Sequence, residues 1–289
     1  VKKVVVSADS VSLPHKTAQE YGFKLIPCPI SLDGKNYLDT EIDLDELYKQ
    51  LDSRENLPKT SMVSAEDFLS FFSKVSGGSD DILHICMSSV FSPQYKNALQ
   101  ARELASKSLA DSRVEVVDSL SIGIGVHLVA LAAAKAAAQG KTLAEILELV
   151  SSLTPQVVSL AARDTLFYYD KGGRIFEARS WAEAEATSNF RSIIEVDAST
   201  GGTVKPVARV KTVVQILDKL AELTKERGSN HKLCGIIGYT RGAVDRADNL
   251  KDRLLTEFDF DWLYVAEESA SVAVHNGRGF IDYAFASKV

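Results

Sequence analysis

The sequence predicts an α/β protein of two units: a mostly parallel sheet flanked by helices, then a mixed sheet with helices. Three observations carry this expectation. Short apolar runs such as 4–6 and 82–86 alternate with segments of helical periodicity, the pattern of layered α/β folds. The texture changes near Thr154-Pro155, and 289 residues at ~150 per domain suit two units; the division is placed at 1–155 and 156–289. Strand-like runs at 192–198 and 203–209 are joined through Ser199-Thr200-Gly201-Gly202, a hairpin signal that brings antiparallel pairing into the second unit.

In chain order, residues 4–6 read as a buried strand. Asp43 opens a helix: its carboxylate suits the N-cap, Glu46 stands three residues on to reach back, and Leu44, Leu47, Tyr48 and Leu51 share one face. Ser64 repeats the device before Phe68, Phe71 and Phe72, a stripe read as core rather than ligand channel. The run 82–86 is a second buried strand, followed by a helix near 93–109; 114–117 is a third. Thr142 and Glu145 form a capping box ahead of Leu143, Ile146, Leu147 and Val150. The second unit reads strand 157–163, helix, strands 192–198 and 203–209, helix 211–227, strand 233–239, helix 241–257, and strands 262–266 and 279–286.

Composition narrows the function. Apolar residues are 45% of the chain and charged residues 25%, enough for a packed core. The net charge is −6, so there is no basic excess to hold a nucleic-acid backbone, and no nucleic-acid partner is expected. Cys28, Cys86 and Cys234 are far apart with no C-x-x-C, which excludes a disulfide framework and a four-cysteine zinc site. The apolar run behind Lys2-Lys3 is too short for a signal-peptide core. The stretch 121–140 contains His127 and Lys135 and is mostly alanine; it reads as a buried, tightly packed helix, not a membrane span. The expectation is a soluble, cytoplasmic protein without stable membrane insertion, transient membrane contact remaining open.

The chain lacks the motifs of several enzyme classes. No P-loop is present, Leu128 stands where a third glycine would complete a dinucleotide fingerprint after Gly123 and Gly125, and there is no G-x-S-x-G or H-E-x-x-H. The histidines at 15, 84, 127, 231 and 275 are scattered. Neither a metal nor a cofactor is expected. Instead, small polar residues gather at the ends of the first unit's strands: Ser7, Asp9 and Ser10; Ser88, Ser89 and Ser92; Asp118, Ser119 and Ser121. Ligands of open α/β sheets bind at those carboxyl ends, where hydroxyls and helix N-termini receive anions. Helix capping explains part of this crest. The loop Pro58-Lys59-Thr60-Ser61 adds two more hydroxyls.

Seven segments occur together in the order and spacing of one family: Asp9-Ser10; Leu32-Asp33-Gly34 with Tyr37 and Asp39; Pro58-Lys59-Thr60-Ser61; Ser88-Ser89-Val90-Phe91-Ser92 with Tyr95; Val117-Asp118-Ser119; Lys171-Gly172-Gly173-Arg174-Ile175; and His275-Asn276-Gly277. On these the chain resembles the bacterial DegV family over essentially its whole length. The resemblance implies two α/β domains around a long tunnel that holds one long-chain fatty acid. It implies no catalysis by the chain itself, but presentation of the bound acid to a separate ATP-dependent kinase subunit that forms acyl phosphate for phospholipid metabolism. It also implies a carboxylate held by Thr60, Ser61 and Ser92, near His275.

The family's Ser-Gly-Thr is Ser92-Pro93-Gln94 here, and proline donates no N–H. Its His-x-Gly-Pro-Gly is His275-Asn276-Gly277-Arg278-Gly279, which puts Arg278 beside the head-group histidine. Its Thr-Ser-Gln-Pro-Ser loop is Thr60-Ser61-Met62-Val63-Ser64, and an arginine implicated in the kinase partnership is replaced by Lys211, with Arg209 two residues earlier. Lys171-Gly172-Gly173-Arg174 reads as a helix C-terminus and turn, structural or partner-facing.

The residue types suit a lipid acid. Each buried methylene contributes ~0.8 kcal/mol, so the tail drives binding. A buried carboxylate must be hydrogen-bonded, which hydroxyls and one imidazole achieve while leaving it accessible. Two rival functions stand beside this one. A hydrolase would use Ser92 or Ser61 with His275 on an acyl ester, although no acidic orienter is identifiable. A regulatory module would hold its lipid as a structural part.

Overall fold

The computed structural model describes residues 2–10, 13, 15–185, 187–228 and 232–287. The first unit runs β1 (Val4–Asp9), α1 (His15–Glu20), β2 (Lys24–Ile26), β3 (Pro29–Leu32), β4 (Lys35–Leu38), α2 (Leu44–Ser53), β5 (Lys59–Thr60), α3 (Ala65–Ser76), β6 (Asp81–Cys86), α4 (Gln94–Ser108), β7 (Val114–Asp118), α5 (Ile124–Ala138) and α6 (Leu143–Leu153). The three apolar runs read from the sequence become β1, β6 and β7, joined by β2 in a parallel sheet of order β2-β1-β6-β7. The small antiparallel sheet β4-β3-β5 is additional to the sequence reading; its strands are two to four residues long, too short to show a period.

The second half runs β8 (Val158–Arg163), α7 (Phe167–Lys171), α8 (Arg179–Glu185), β9 (Arg191–Glu195), β10 (Lys205–Val210), α9 (Val213–Arg227), β11 (Leu233–Tyr239), α10 (Val244–Glu257), β12 (Phe260–Glu267), α11 (Ala270–Asn276) and β13 (Ile281–Ser287). Its sheet is mixed, of order β10-β9-β8-β13-β11-β12, with β11 and β12 parallel and the other pairs antiparallel. The expected pairing of β9 with β10 is present, with Gly201 and Gly202 both at positive φ in the connection.

Capping follows the sequence closely. Thr142 and Glu145 form the full capping box of α6. Asp43 accepts the N–H groups of Asp45 and Glu46, without the reach-back by Glu46, and Ser64 accepts from Asp67 N–H at 3.1 Å. Phe68 and Phe72 are wholly buried with α4's alanines on one face of the parallel sheet, as expected of a core stripe.

Helix α5 joins the two halves. It is apolar all round because both sheets use it: its valines, leucines and alanines form one cluster with Val6 and Leu83 of the parallel sheet and with Ile236, Ala266, Ala284 and Ala286 of the mixed sheet. Its first N–H, from Ile124, donates to Asp282 Oδ2 on β13 at 3.0 Å. The opposite face of the mixed sheet is covered by α9 and α10. Among the described residues no helix is long and apolar enough to cross a membrane.

Candidate functional site

A cavity opens where the carboxyl ends of β1 and β6 meet the inner face of the mixed sheet, the position at which open α/β sheets bind ligands. It offers about 140 Å³ to the centres of water molecules. Thr60, Ser61, Ser92 and His275 all lie in its wall. The apolar part of the lining includes Met62, Met87, Phe91, Val196, Val272 and Phe280.

Each polar residue is placed by a local device. Thr60 sits on the two-residue strand β5, paired with Ile30, and Ser61 N–H donates to Pro29 O at 2.9 Å. Thr60 Oγ1 and His275 Nε2 are 2.8 Å apart. His275 lies on the last turn of the short helix α11, not at the end of a strand. Gly277 ends that turn at φ +67, and a Cβ there would stand 2.3 Å from Tyr168 Cε2, so glycine is required on both counts. Ser92 N–H donates to Ser88 O, and Ser92 Oγ accepts Gln94 N–H at 3.2 Å, a hydroxyl turn ahead of α4 with Pro93 at the helix entry. The hydroxyl hydrogen of Ser92 remains available to a ligand.

The imidazole of His275 is half-buried and lines the cavity. Burial first, then the charges of Arg174 and Arg163, lower its pKa to about 4. It is neutral near pH 7, with one ring N–H to donate and one nitrogen to accept. Cys28 also lines the cavity, and burial pushes its thiol pKa up, which suppresses the reactive thiolate.

The polar crest divides in the structure. Ser10 and Ser92 reach the cavity wall. Ser7 instead bonds His84 Nδ1 at 2.9 Å, Ser88 donates to Gly202 O at 2.8 Å, and Asp118 accepts from Ser89 and Leu120 N–H. One expectation is corrected. Arg278 does not stand beside His275; its guanidinium turns outward to Asp52, 3.0 Å away, and over the Tyr48 ring. Lys171-Gly172-Gly173-Arg174 is the expected helix end and turn, α7 closing at Lys171 and Arg174 Nη1 donating to Gly172 O at 2.6 Å, and Arg174 also lines the cavity. The turn at Gly173, φ +70, sends the chain back so that residue 174 faces inward.

Beyond Thr60, Arg174 and His275 lies a second, solvent-open groove of about 1020 Å³ that shares those three residues with the cavity. Its wall carries Arg54, Lys59 and Lys171 with a single acid, Asp33.

Among the described residues, Asp9, His84 and Cys86 lie close enough to ligate a metal. Asp9 Oδ1 already meets His84 Nε2 at 3.2 Å and Asp9 Oδ2 accepts Met87 N–H at 2.8 Å, so both oxygens of the carboxylate are engaged within the protein. His231 lies outside the described residues.

A family profile described as "Uncharacterised protein, DegV family" matches residues 3–288. A DegV domain-containing protein of Clostridium perfringens is 28% identical over 293 residues, 98% of each chain. Among solved structures, a DegV family protein from Thermus thermophilus, described as binding fatty acid, is similar with TM-score 0.87 and 21% identity, covering 99% of this chain and 100% of that one. A DegV family protein from Eubacterium eligens, loaded with heptadecanoic acid, is similar with TM-score 0.84 and 19% identity over 99% and 100% of the two chains.

Proposed function

The chain belongs to the DegV family, and from that premise we propose that it binds one long-chain fatty acid, with the tail in the inter-sheet cavity and the carboxylate held by Thr60, Ser61 and Ser92 beside His275. The observation that carries this reading is the convergence of all four residues, which come from three separate segments of the chain, on one cavity whose remaining wall is largely apolar. The physical logic is consistent. Apolar contact drives the tail in, hydroxyls satisfy the carboxylate, and the hydrogen-bonded Thr60–His275 pair keeps one proton, on the hydroxyl or on the neutral imidazole, to donate without forming a tight ion pair.

The chain is proposed to carry the acid rather than transform it. His275 touches Thr60 and is influenced by Arg174 and Arg163, and among the described residues no carboxylate is hydrogen-bonded to it as the orienter of a general base would be. Presentation to an ATP-dependent kinase subunit is the finer part of the proposal. The cationic groove opens on the far side of Thr60 and His275, where a phosphoryl donor would have to arrive. Lys211, in place of the family's partner-facing arginine, is exposed, and Arg209 beside it stacks on Trp181 with 4.4 Å to the ring centre. The division at residue 155 into two folding units is likewise proposed.

The test is extraction of the purified protein with organic solvent and mass spectrometry of the extract, followed by re-binding of the identified acid. A co-purifying fatty acid that exchanges with added acid is expected. Turnover of an acyl ester that is lost in Ser92→Ala would replace the carrier reading with the hydrolase one. A lipid that never exchanges would make it structural.

A further inference from the structure

The second lobe buries polar groups beside the cavity, and among the described residues the Arg163 guanidinium and the Asn276 carbonyl find no hydrogen-bond partner. Arg163 is 1% exposed and none of its three guanidinium nitrogens donates a hydrogen bond. Strand alternation puts it on the face of β8 that carries Ser159 and Ala161, both in the cavity wall. Its guanidinium carbon is 3.7 Å from the ring centre of Tyr169 and 5.3 Å from that of Phe280, and both rings line the cavity. Asn276, 6% exposed and in the wall, donates Nδ2–H to Val272 O at 2.9 Å and leaves Oδ1 without a donor. Asp282, 5% exposed, is also in the wall. Its Oδ2 accepts from Ile124; its Oδ1 faces Glu268 Oε1 across Gly238, the two oxygens 2.3 and 1.9 Å from where a Cβ would stand. Two buried carboxyls that face each other hold one proton between them, because both do not ionise at that range.

With Arg163 the group is close to neutral, yet it presents donors and acceptors. That balance decides what chemistry fits against it. An unsubstituted alkyl chain meets none of these groups and leaves them desolvated. A second carboxylate adds charge to a pair already sharing a proton. An ammonium is opposed by Arg163 and Arg174. A hydroxyl, neutral and able both to donate and to accept, matches the wall. Building on the reading that a fatty acid's carboxylate sits at Thr60, Ser61, Ser92 and His275, we propose that the preferred ligand is a hydroxy fatty acid whose hydroxyl is bound by Asn276 and Asp282, with Arg163 balancing the charge of the acid pair behind them.

The experiment measures binding of hexadecanoic acid and of its α-, β-, mid-chain and ω-hydroxy derivatives to the delipidated full chain. One hydroxy isomer is expected to bind at least about tenfold more tightly than the parent acid, and Asn276→Leu is expected to abolish that ratio. If Asn276→Leu does not fold, Asn276→Ala, which removes the same carbonyl without adding bulk, gives the same readout, since the ratio of two affinities is insensitive to a general loss of folded protein. Parent acid bound as tightly as every hydroxy isomer overturns the inference and leaves fatty-acid binding standing. Persistence of the ratio in both variants overturns it too. Failure of every acid to bind removes the fatty-acid reading, and this inference with it.

Discussion

Two buried polar clusters lie in the two halves of the molecule, and they differ in how their hydrogen bonds are used. In the parallel sheet, Ser7, Asp9 and His84 are each 0% exposed and close a circuit: Ser7 to His84, His84 to Asp9, and Asp9 to the Met87 N–H. Beside the cavity, Arg163 on β8 and the Asn276 carbonyl on α11 are also buried, yet have no hydrogen-bond partner among the described residues. Burial alone therefore does not distinguish the two clusters. The unspent hydrogen-bonding capacity beside an open space does.

The most severe test of this contrast is Asp9→Ala. It strands a buried imidazole and a buried N–H at once, and the expected loss is roughly 3–5 kcal/mol of unfolding free energy in urea. A loss under about 1 kcal/mol would show that the circuit is not what fixes the ends of β1 and β6.

The next largest effect lies in the cavity and depends on pH. The pKa of His275 is about 4 in the folded protein, below the ordinary histidine value of about 6.5. The unfolded chain therefore takes up a proton that the folded one refuses. Stability is full above pH 6.5, falls as pH drops through the window, and is lost by at most about 3 kcal/mol once pH is below 4. His275→Gln should flatten this slope in urea unfolding measured between those pH values. An unchanged slope would mean that the ring is not held neutral by its surroundings.

These two clusters also show what a sequence displays. The fold was largely legible because it is written in local patterns: the alanine-rich run that must be buried all round became α5, Thr142 and Glu145 became a capping box, and the Ser-Thr-Gly-Gly segment joined two antiparallel strands. The elements that escaped, α1, β2, the sheet β4-β3-β5 and helix α11, are too short to carry a period. Thr60, Ser61, Ser92 and His275 were found through the family resemblance, and the structure brings them together. Arg163, Glu268 and Asp282 were missed, since a charge in an apolar strand reads equally as a solvent-facing alternate. Their signal was faint: Asp282 interrupts the run Phe280-Ile281-Asp282-Tyr283-Ala284 in a strand buried on both faces. Arg174 was missed because Gly173 reverses the chain before it.

A smaller effect separates binding from folding within the cavity. Thr60→Ala combined with Ser92→Ala removes two hydroxyl donors from the proposed carboxylate site. Hydrogen bonds to a charged group are worth ~1.5–3 kcal/mol each, so fatty-acid affinity should fall on the order of a hundredfold in titration calorimetry. Unfolding free energy should fall by about 1 kcal/mol, the loss of the Ser92 turn. Unchanged affinity would place the head group elsewhere.

The smallest expected change is the one that most sharply divides the two clusters. Arg163 is as buried as Asp9, so burial alone would predict a heavy loss on truncation. Yet Arg163 donates no hydrogen bond, and removing it leaves no acceptor of its own stranded. Arg163→Met keeps the apolar stem against Tyr169 and Phe280, removes a charge whose desolvation opposes folding, and leaves the Asp282–Glu268 pair, where burial already raises the Asp282 pKa, to take up a second proton in place of the lost charge. The delipidated variant should therefore unfold within about 1 kcal/mol of the parent, while losing part of the stabilisation that added ligand confers. A loss as large as that of Asp9→Ala would mean that the guanidinium supports the Asp282–Glu268 pair through its charge alone. Its missing hydrogen bonds would then say nothing about what occupies the cavity.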